Sequence, residues 1–190
     1  MKALAAALVC LALTGAARAG GNPEVTLYIS FSLEEKVFAI SPEPYTYVDA
    51  YLYLGNVEAG VLDTSFRISR VWEEYPGVTS FPSYTGLKTW PGDCDAGSIF
   101  EGKWVCSTSC EDEPDEHFYT LNFMYFGGSC CIRLLEHPDQ PRWVTDCDGG
   151  LDYWCVESHA SIGGAICPEG DCPQSPVQDD TWGAIKALYR

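Results

Sequence analysis

Between residues 45 and 54 the chain alternates with period two. Val48, Ala50, Leu52 and Leu54 fall on one side of an extended backbone and Tyr47, Asp49, Tyr51 and Tyr53 on the other. Successive side chains of a strand point to opposite faces, so this segment predicts a strand with one face given to a core. Residues 25–31 alternate as well and are rich in β-branched and aromatic types, which reads as a second strand. Residues 61–71 set Leu62, Thr64, Phe66 and Ile68 against Asp63, Ser65, Arg67 and Ser69, a third strand buried on one side. Further on, residues 118–126 and 130–135 flank Gly127-Gly128-Ser129, and residues 142–147 and 151–156 flank Asp148-Gly149-Gly150. Each pair reads as a hairpin on a short glycine turn. Pro76-Gly77, Phe81-Pro82 and Trp90-Pro91-Gly92-Asp93 mark a region expected to be loop with short strands. The fold class expected is all-β: an antiparallel β-sandwich with a short C-terminal helix.

The start of the chain reads as an export leader: Met1-Lys2, an apolar run over residues 3–13, then Ala17-Arg18-Ala19 with small residues where a cut is made. The expected division is a signal peptide over residues 1–19, a β-sandwich over 20–167, a Pro-rich linker over 168–179 and a C-terminal amphipathic helix or tag over 180–190. No later segment approaches the ~20 apolar residues of a membrane helix, so no transmembrane segment is expected in the mature chain. The formal charge of −16 repels nucleic acid and anionic lipid, and neither is expected as a partner. Acidity also keeps an exported protein soluble, so by itself it names no cationic ligand.

Of the ten cysteines, Cys10 lies in the leader. Cys94, Cys106, Cys110, Cys130, Cys131, Cys147, Cys155, Cys167 and Cys172 remain, all after residue 90. In an oxidising compartment they are expected to pair and leave one over, with the connectivity open. Cys106 and Cys110 with His117 suggest zinc only loosely, because the paired knuckles of a structural zinc site are missing. Adjacent Cys130 and Cys131 would point to opposite faces of a strand and so need different partners. The first half of the domain is therefore expected to hold by packing and the second by staples.

Candidate sites are few. Asp146, Asp148 and Asp152 surround a glycine turn, a pattern that can present hard oxygen ligands to calcium; no other cofactor is indicated. The bland reading is a polar turn closed by a disulfide. The acidic run over residues 111–116 reads as a solvated loop. Tyr47, Tyr51 and Tyr53 present rigid aromatic surfaces that suit stacking on sugar rings, and aromatic residues on a sandwich also serve as core or cross-strand pairs. His117, His137 and His159 are expected in loops. Ser158 or Ser161 with His159 is an imaginable catalytic pairing, but nothing in the spacing singles it out, so no catalytic residue is assigned and the chain is read as a non-enzyme. Trp182, Ile185, Leu188 and Tyr189 share one face of the terminal helix and read as a docking element or as a tail packed back on the sandwich.

The leader, the tyrosine-rich strand, the segment Gly60-Val61-Leu62-Asp63-Thr64-Ser65-Phe66-Arg67-Ile68, the Gly-Gly turn and the ending Thr181-Trp182-Gly183-Ala184-Ile185-Lys186-Ala187-Leu188-Tyr189-Arg190 together resemble small uncharacterised exported bacterial proteins. Their strand pattern is similar to the cohesin-type β-sandwich. The resemblance implies a secreted, non-catalytic binding or structural module, at the cell surface or beyond it, whose partner is an extracellular protein or polysaccharide. Cohesins pair with dockerins, but no dockerin repeat is present and the many cysteines depart from ordinary cohesins, so partner identity is not carried over. The alternatives are a secreted hydrolase with an unrecognised site and a carbohydrate-binding module using an aromatic face.

Overall fold

The computed structural model describes residues 20–75, 79–92, 95–140 and 142–172, apart from the side chains of Trp72 and of residues 79–87. The proposed leader, Cys94, the terminal helix and its Trp182, Ile185, Leu188 and Tyr189 lie outside the described residues.

The strands are β1 (Thr26–Ser30), β2 (Ala39–Ile40), β3 (Thr46–Gly55), β4 (Val61–Ile68), β5 (Thr79–Lys88), β6 (Asp95–Ser98), β7 (Gly102–Glu111) and β8 (Asp115–Tyr125). They continue with β9 (Cys130–Ile132), β10 (Leu134–Leu135), β11 (Trp143–Thr145), β12 (Leu151–Tyr153), β13 (Cys155–Ser158) and β14 (Ala160–Ile162). One helical turn, α1 (Val71–Glu74), follows β4. One sheet runs β13-β1-β3-β8-β5; a second runs β12-β11-β4-β7-β6 with β10 also on β4; a small third runs β2-β14-β9. Most pairings are antiparallel, and β1 with β13 and β2 with β14 are parallel.

The two large sheets face each other across one apolar core. On β3, Val48, Ala50, Leu52 and Leu54 are buried as their alternation requires. On β1, Leu27 and Ile29 join them. From the opposite sheet Phe66 meets Phe118 and Tyr119 of β8 edge-on, with ring centroids 5.3 and 5.8 Å apart. Burying each such side chain contributes roughly 1.5–3 kcal/mol, so β1, β3, β4 and β8 carry most of the packing.

Three expectations change. The turn at residues 127–129 does not close a hairpin, because β8 is already paired on both sides, with β3 and β5. With no free edge the chain leaves that sheet, and β9 pairs β14 while β10 pairs β4. Residues 79–88 form one ten-residue strand, where loop with short strands is expected. It lies at the sheet edge and its register shifts between Ser80 and Thr85, where Pro82 costs no ladder bond. Ser65, placed on the outer face of its strand, is fully buried. Its hydroxyl donates to the Gln140 carbonyl at 2.8 Å and its carbonyl accepts from the Trp154 indole at 3.1 Å, so a second layer covers β4. The turn at residues 148–150 does close the hairpin expected of it, β11 against β12.

The cysteines are disulfide-bonded: Cys110 to Cys147, Cys131 to Cys167 and Cys155 to Cys172. Cys106 is also disulfide-bonded. Among the described residues the odd thiol is Cys130, fully buried beside its bridged neighbour. Burial pushes its pKa up to about 12, which keeps it a thiol.

Candidate functional site

The outer face of the β1-β3-β8 region is an aromatic strip on a rigid support. Tyr28 of β1 lies opposite Tyr53 of β3, and His117 of β8 lies opposite Tyr53 on the other side. Because β3 runs between β1 and β8, Tyr53 is flanked on both sides. Its ring stacks on Tyr28 with centroids 5.1 Å apart and planes 7° off parallel, and it sits 5.2 Å from the His117 imidazole. Tyr51 meets the same imidazole edge-on at 5.4 Å. Along the strand the strip opens into the Asp49–Asn122 cross-strand pair, bonded at 2.6 Å, and then Tyr47, which is 60% exposed.

The loop between β1 and β2 folds back over one end. Ser30 holds it, its hydroxyl lying 2.9 Å from the carbonyls of Ser32 and Glu35 and accepting from the Val37 N–H at 3.1 Å. This sets the Lys36 ammonium 4.3 Å above the Tyr28 ring, with Glu157 and Asp115 at 3.0 and 3.5 Å. A cationic charge over an aromatic face is favourable. The cleft beneath, about 180 Å³, is lined by residues that include Tyr28, Tyr53, Lys36 and Asp115.

Electrostatically the strip is neutral with an acidic rim. Burial and then the Asp115 carboxylate push the Tyr28 phenol far above its ordinary range. Burial raises Tyr51 and Tyr53 in the same direction. It also holds His117 below the usual imidazole range, so the ring is neutral at pH 7.

The sequence named Tyr47, Tyr51 and Tyr53 but not Tyr28, His117 or Lys36. Tyr28 was legible in principle, since Thr26, Tyr28 and Ser30 share the outward parity of β1. His117 was placed in a loop, whereas it lies on β8. The acidic run placed in a solvated loop straddles β7 and β8. Glu116 is buried and accepts from the Glu113 N–H at 2.9 Å, and Glu111 accepts from the hydroxyls of Ser107 and Ser109.

Asp146 and Asp152 are both buried at a second corner, and backbone amides of the N-terminal segment meet them there. Asp146 Oδ1 accepts from the N–H groups of Asp148 and Gly150 at 2.9 and 2.6 Å, and its Oδ2 accepts from Gly21 at 2.8 Å. Asp152 Oδ2 accepts from the Asn22 N–H at 2.7 Å. No group of three or more His, Cys, Asp or Glu side chains arranged to hold a metal occurs among the described residues.

The hydroxyls of Ser158 and Ser161 donate to the carbonyls of His159 and Ala165 at 3.0 and 2.6 Å. His159 Nδ1 accepts from the Leu134 N–H at 3.1 Å. Among the described residues neither serine bonds a histidine ring. The segment expected to begin a linker is fastened as far as Cys172. Asp171 accepts from the Val156 N–H at 2.6 Å, and the Asp171 N–H donates back to the Val156 carbonyl at 2.9 Å.

No helix among the described residues is long and apolar enough to cross a membrane. No family model and no curated protein matches the chain. Solved structures similar in strand arrangement include a cohesin of Clostridium acetobutylicum, 14% identical with a TM-score of 0.49, covering 82% of this chain and all of that one. Others are a type I cohesin in a cohesin–dockerin complex of Clostridium thermocellum (10%, 0.48, covering 74% and 98%) and a cohesin module of a family 33 glycoside hydrolase of Clostridium perfringens (13%, 0.48, covering 74% and 98%). These likenesses concern the strand arrangement and carry no argument about ligand or partner.

Proposed function

We propose that the chain is a secreted, non-catalytic binding module that docks an extracellular protein through the outer face of the β1-β3-β8 region. The supporting observation is the open Tyr47, 60% exposed, and the half-buried Tyr51, set on a neutral aromatic backing of the buried Tyr28 and Tyr53 with the His117 ring. Tyrosine on a pre-organised support is the anchor type that interfaces favour, because it brings large contact area at little entropy cost. The leader and the bridged cysteines support an extracellular setting. Stacked sugar recognition needs an open ring face, and those of Tyr53 are covered by Tyr28 and His117.

The acidic surface selects a basic partner face and makes association salt-dependent. The test is capture from the host's own secreted and surface proteins on the immobilised chain, followed by affinity measurement on whatever is retained. Tyr47→Ala and Tyr51→Ala together are expected to weaken binding about 30-fold, the loss of one strong anchor. Retention on insoluble polysaccharide that the same pair abolishes would replace this reading with the carbohydrate-binding one.

A further inference from the structure

We infer that the bond between Ala19 and Gly20 is a processing site whose product the sandwich is built to hold: the α-ammonium created on Gly20 docks against the buried Asp152 carboxylate. The two lines of support are independent. The first is sequence, where Ala17 and Ala19 stand at the small-residue positions of a leader cut. The second is the geometry of residues 20–22, whose three backbone N–H groups are all bonded to the domain.

The Gly20 nitrogen donates to the Leu151 carbonyl at 3.0 Å, the Gly21 N–H to Asp146 and the Asn22 N–H to Asp152. Asn22, almost fully buried, locks the segment: its side chain donates to the Gly60 carbonyl and accepts from the Ala59 N–H, both at 2.8 Å. A Cβ on Gly20 would land on the Asp152 carboxylate, so only glycine lets the backbone rest against it. The nitrogen is one bond of ~1.5 Å from that Cα. It therefore lies within the ~4–6 Å over which an opposite charge favours an ionised group.

Hydrolysis by a leader peptidase consumes one water, leaves a carboxylate on Ala19 and leaves a protonated amine on Gly20. An amide nitrogen has one N–H, already given to Leu151. The ammonium has three, so it keeps that bond and turns a further donor and a positive charge toward Asp152. A buried carboxylate gains most from such a partner. The turn whose carboxylate pattern suggests calcium thus receives its cation from the chain itself. The other charged groups nearby are Asp146 and Asp148 in the turn and Glu24 and Glu58 on the adjoining cleft with Gly21 and Asn22, all acidic.

The test uses the exported full chain. N-terminal sequencing is expected to begin at Gly20. Selective acylation of the α-amine at neutral pH, followed by peptide mass, is expected to run about tenfold slower in the folded chain than in urea, as for an amine held about one pKa unit high. Asp152→Asn is expected to remove most of that protection. Acetylating the amine is expected to lower the melting temperature by about 3 °C in the wild-type chain and to add nothing in Asp152→Asn, since the two changes remove one interaction. A different first residue, equal acylation rates folded and unfolded, or full protection in Asp152→Asn would each overturn the inference. Should Asp152→Asn fail to be exported, the folded-to-unfolded rate ratio and the acetylation shift decide on the wild-type chain alone.

Discussion

His159 shows how one residue sets a pH limit. Its Nδ1 accepts the Leu134 N–H, so that nitrogen must stay unprotonated. Burial, and then the Arg133 charge, hold its pKa below the ordinary 6.5, with Asp171 acting in opposition. A group whose folded pKa is depressed contributes stability that is present above the unfolded value and lost as pH falls through the folded one. Between pH 7 and 5 the wild-type chain should therefore lose about 1 kcal/mol at this site, the worth of one hydrogen bond to a buried amide. His159→Asn keeps an acceptor near the same place and does not titrate. Urea unfolding across that pH range should show the wild-type loss reduced by this amount in the variant. Equal slopes for the two chains would mean that the folded chain does not hold His159 below its unfolded pKa.

At the scale of elements, what was legible followed from local chemistry. The faces of β3 were fixed by Val48, Ala50, Leu52 and Leu54, because a period-two pattern has one solution. The β11–β12 hairpin followed from its glycine turn. What failed was pairing between distant strands: nothing in residues 118–135 announces that both edges of β8 are already taken by β3 and β5. The aromatic site was half legible for the same reason, since Tyr51 and Tyr53 lie on one strand while Tyr28 and His117 reach them across the sheet. Cys130 and Cys131 do not each find a partner as expected: Cys131 is bridged and Cys130 stays a buried thiol, and sequence could not say which thiol would be left over. The bridges can be ranked by the loops they close. Cys131–Cys167 and Cys155–Cys172 span 36 and 17 residues, which correspond to about 4 and 3 kcal/mol of loop-closure entropy. Paired alanine replacement of each bridge, compared by urea unfolding, should cost more for the former; the reverse order would mean that the unfolded chain retains structure around residues 131–167.

The whole molecule cannot be divided where its cysteines divide it. Bridges with both ends described lie between residues 110 and 172, but each large sheet draws strands from both halves of the chain. In one, β1 sits between β3 and β13; in the other, β4 sits between β7 and β11. Loosening the stapled half therefore removes neighbours from the packed half, and the two must unfold together. The three bridges with both ends described contribute at most about 11 kcal/mol by loop closure, less where their loops overlap. That is comparable to the ~5–15 kcal/mol by which whole domains of this kind are stable. Far-UV circular dichroism and the fluorescence of buried Trp90 and Trp154 should thus report a single coincident melt in the oxidised chain. A strong reductant should lower that melt by tens of degrees without splitting it. Two separated transitions after reduction, with the strand signal of residues 26–68 persisting into the second, would mean that the first half holds a core of its own and that the interleaving of strands does not couple the halves.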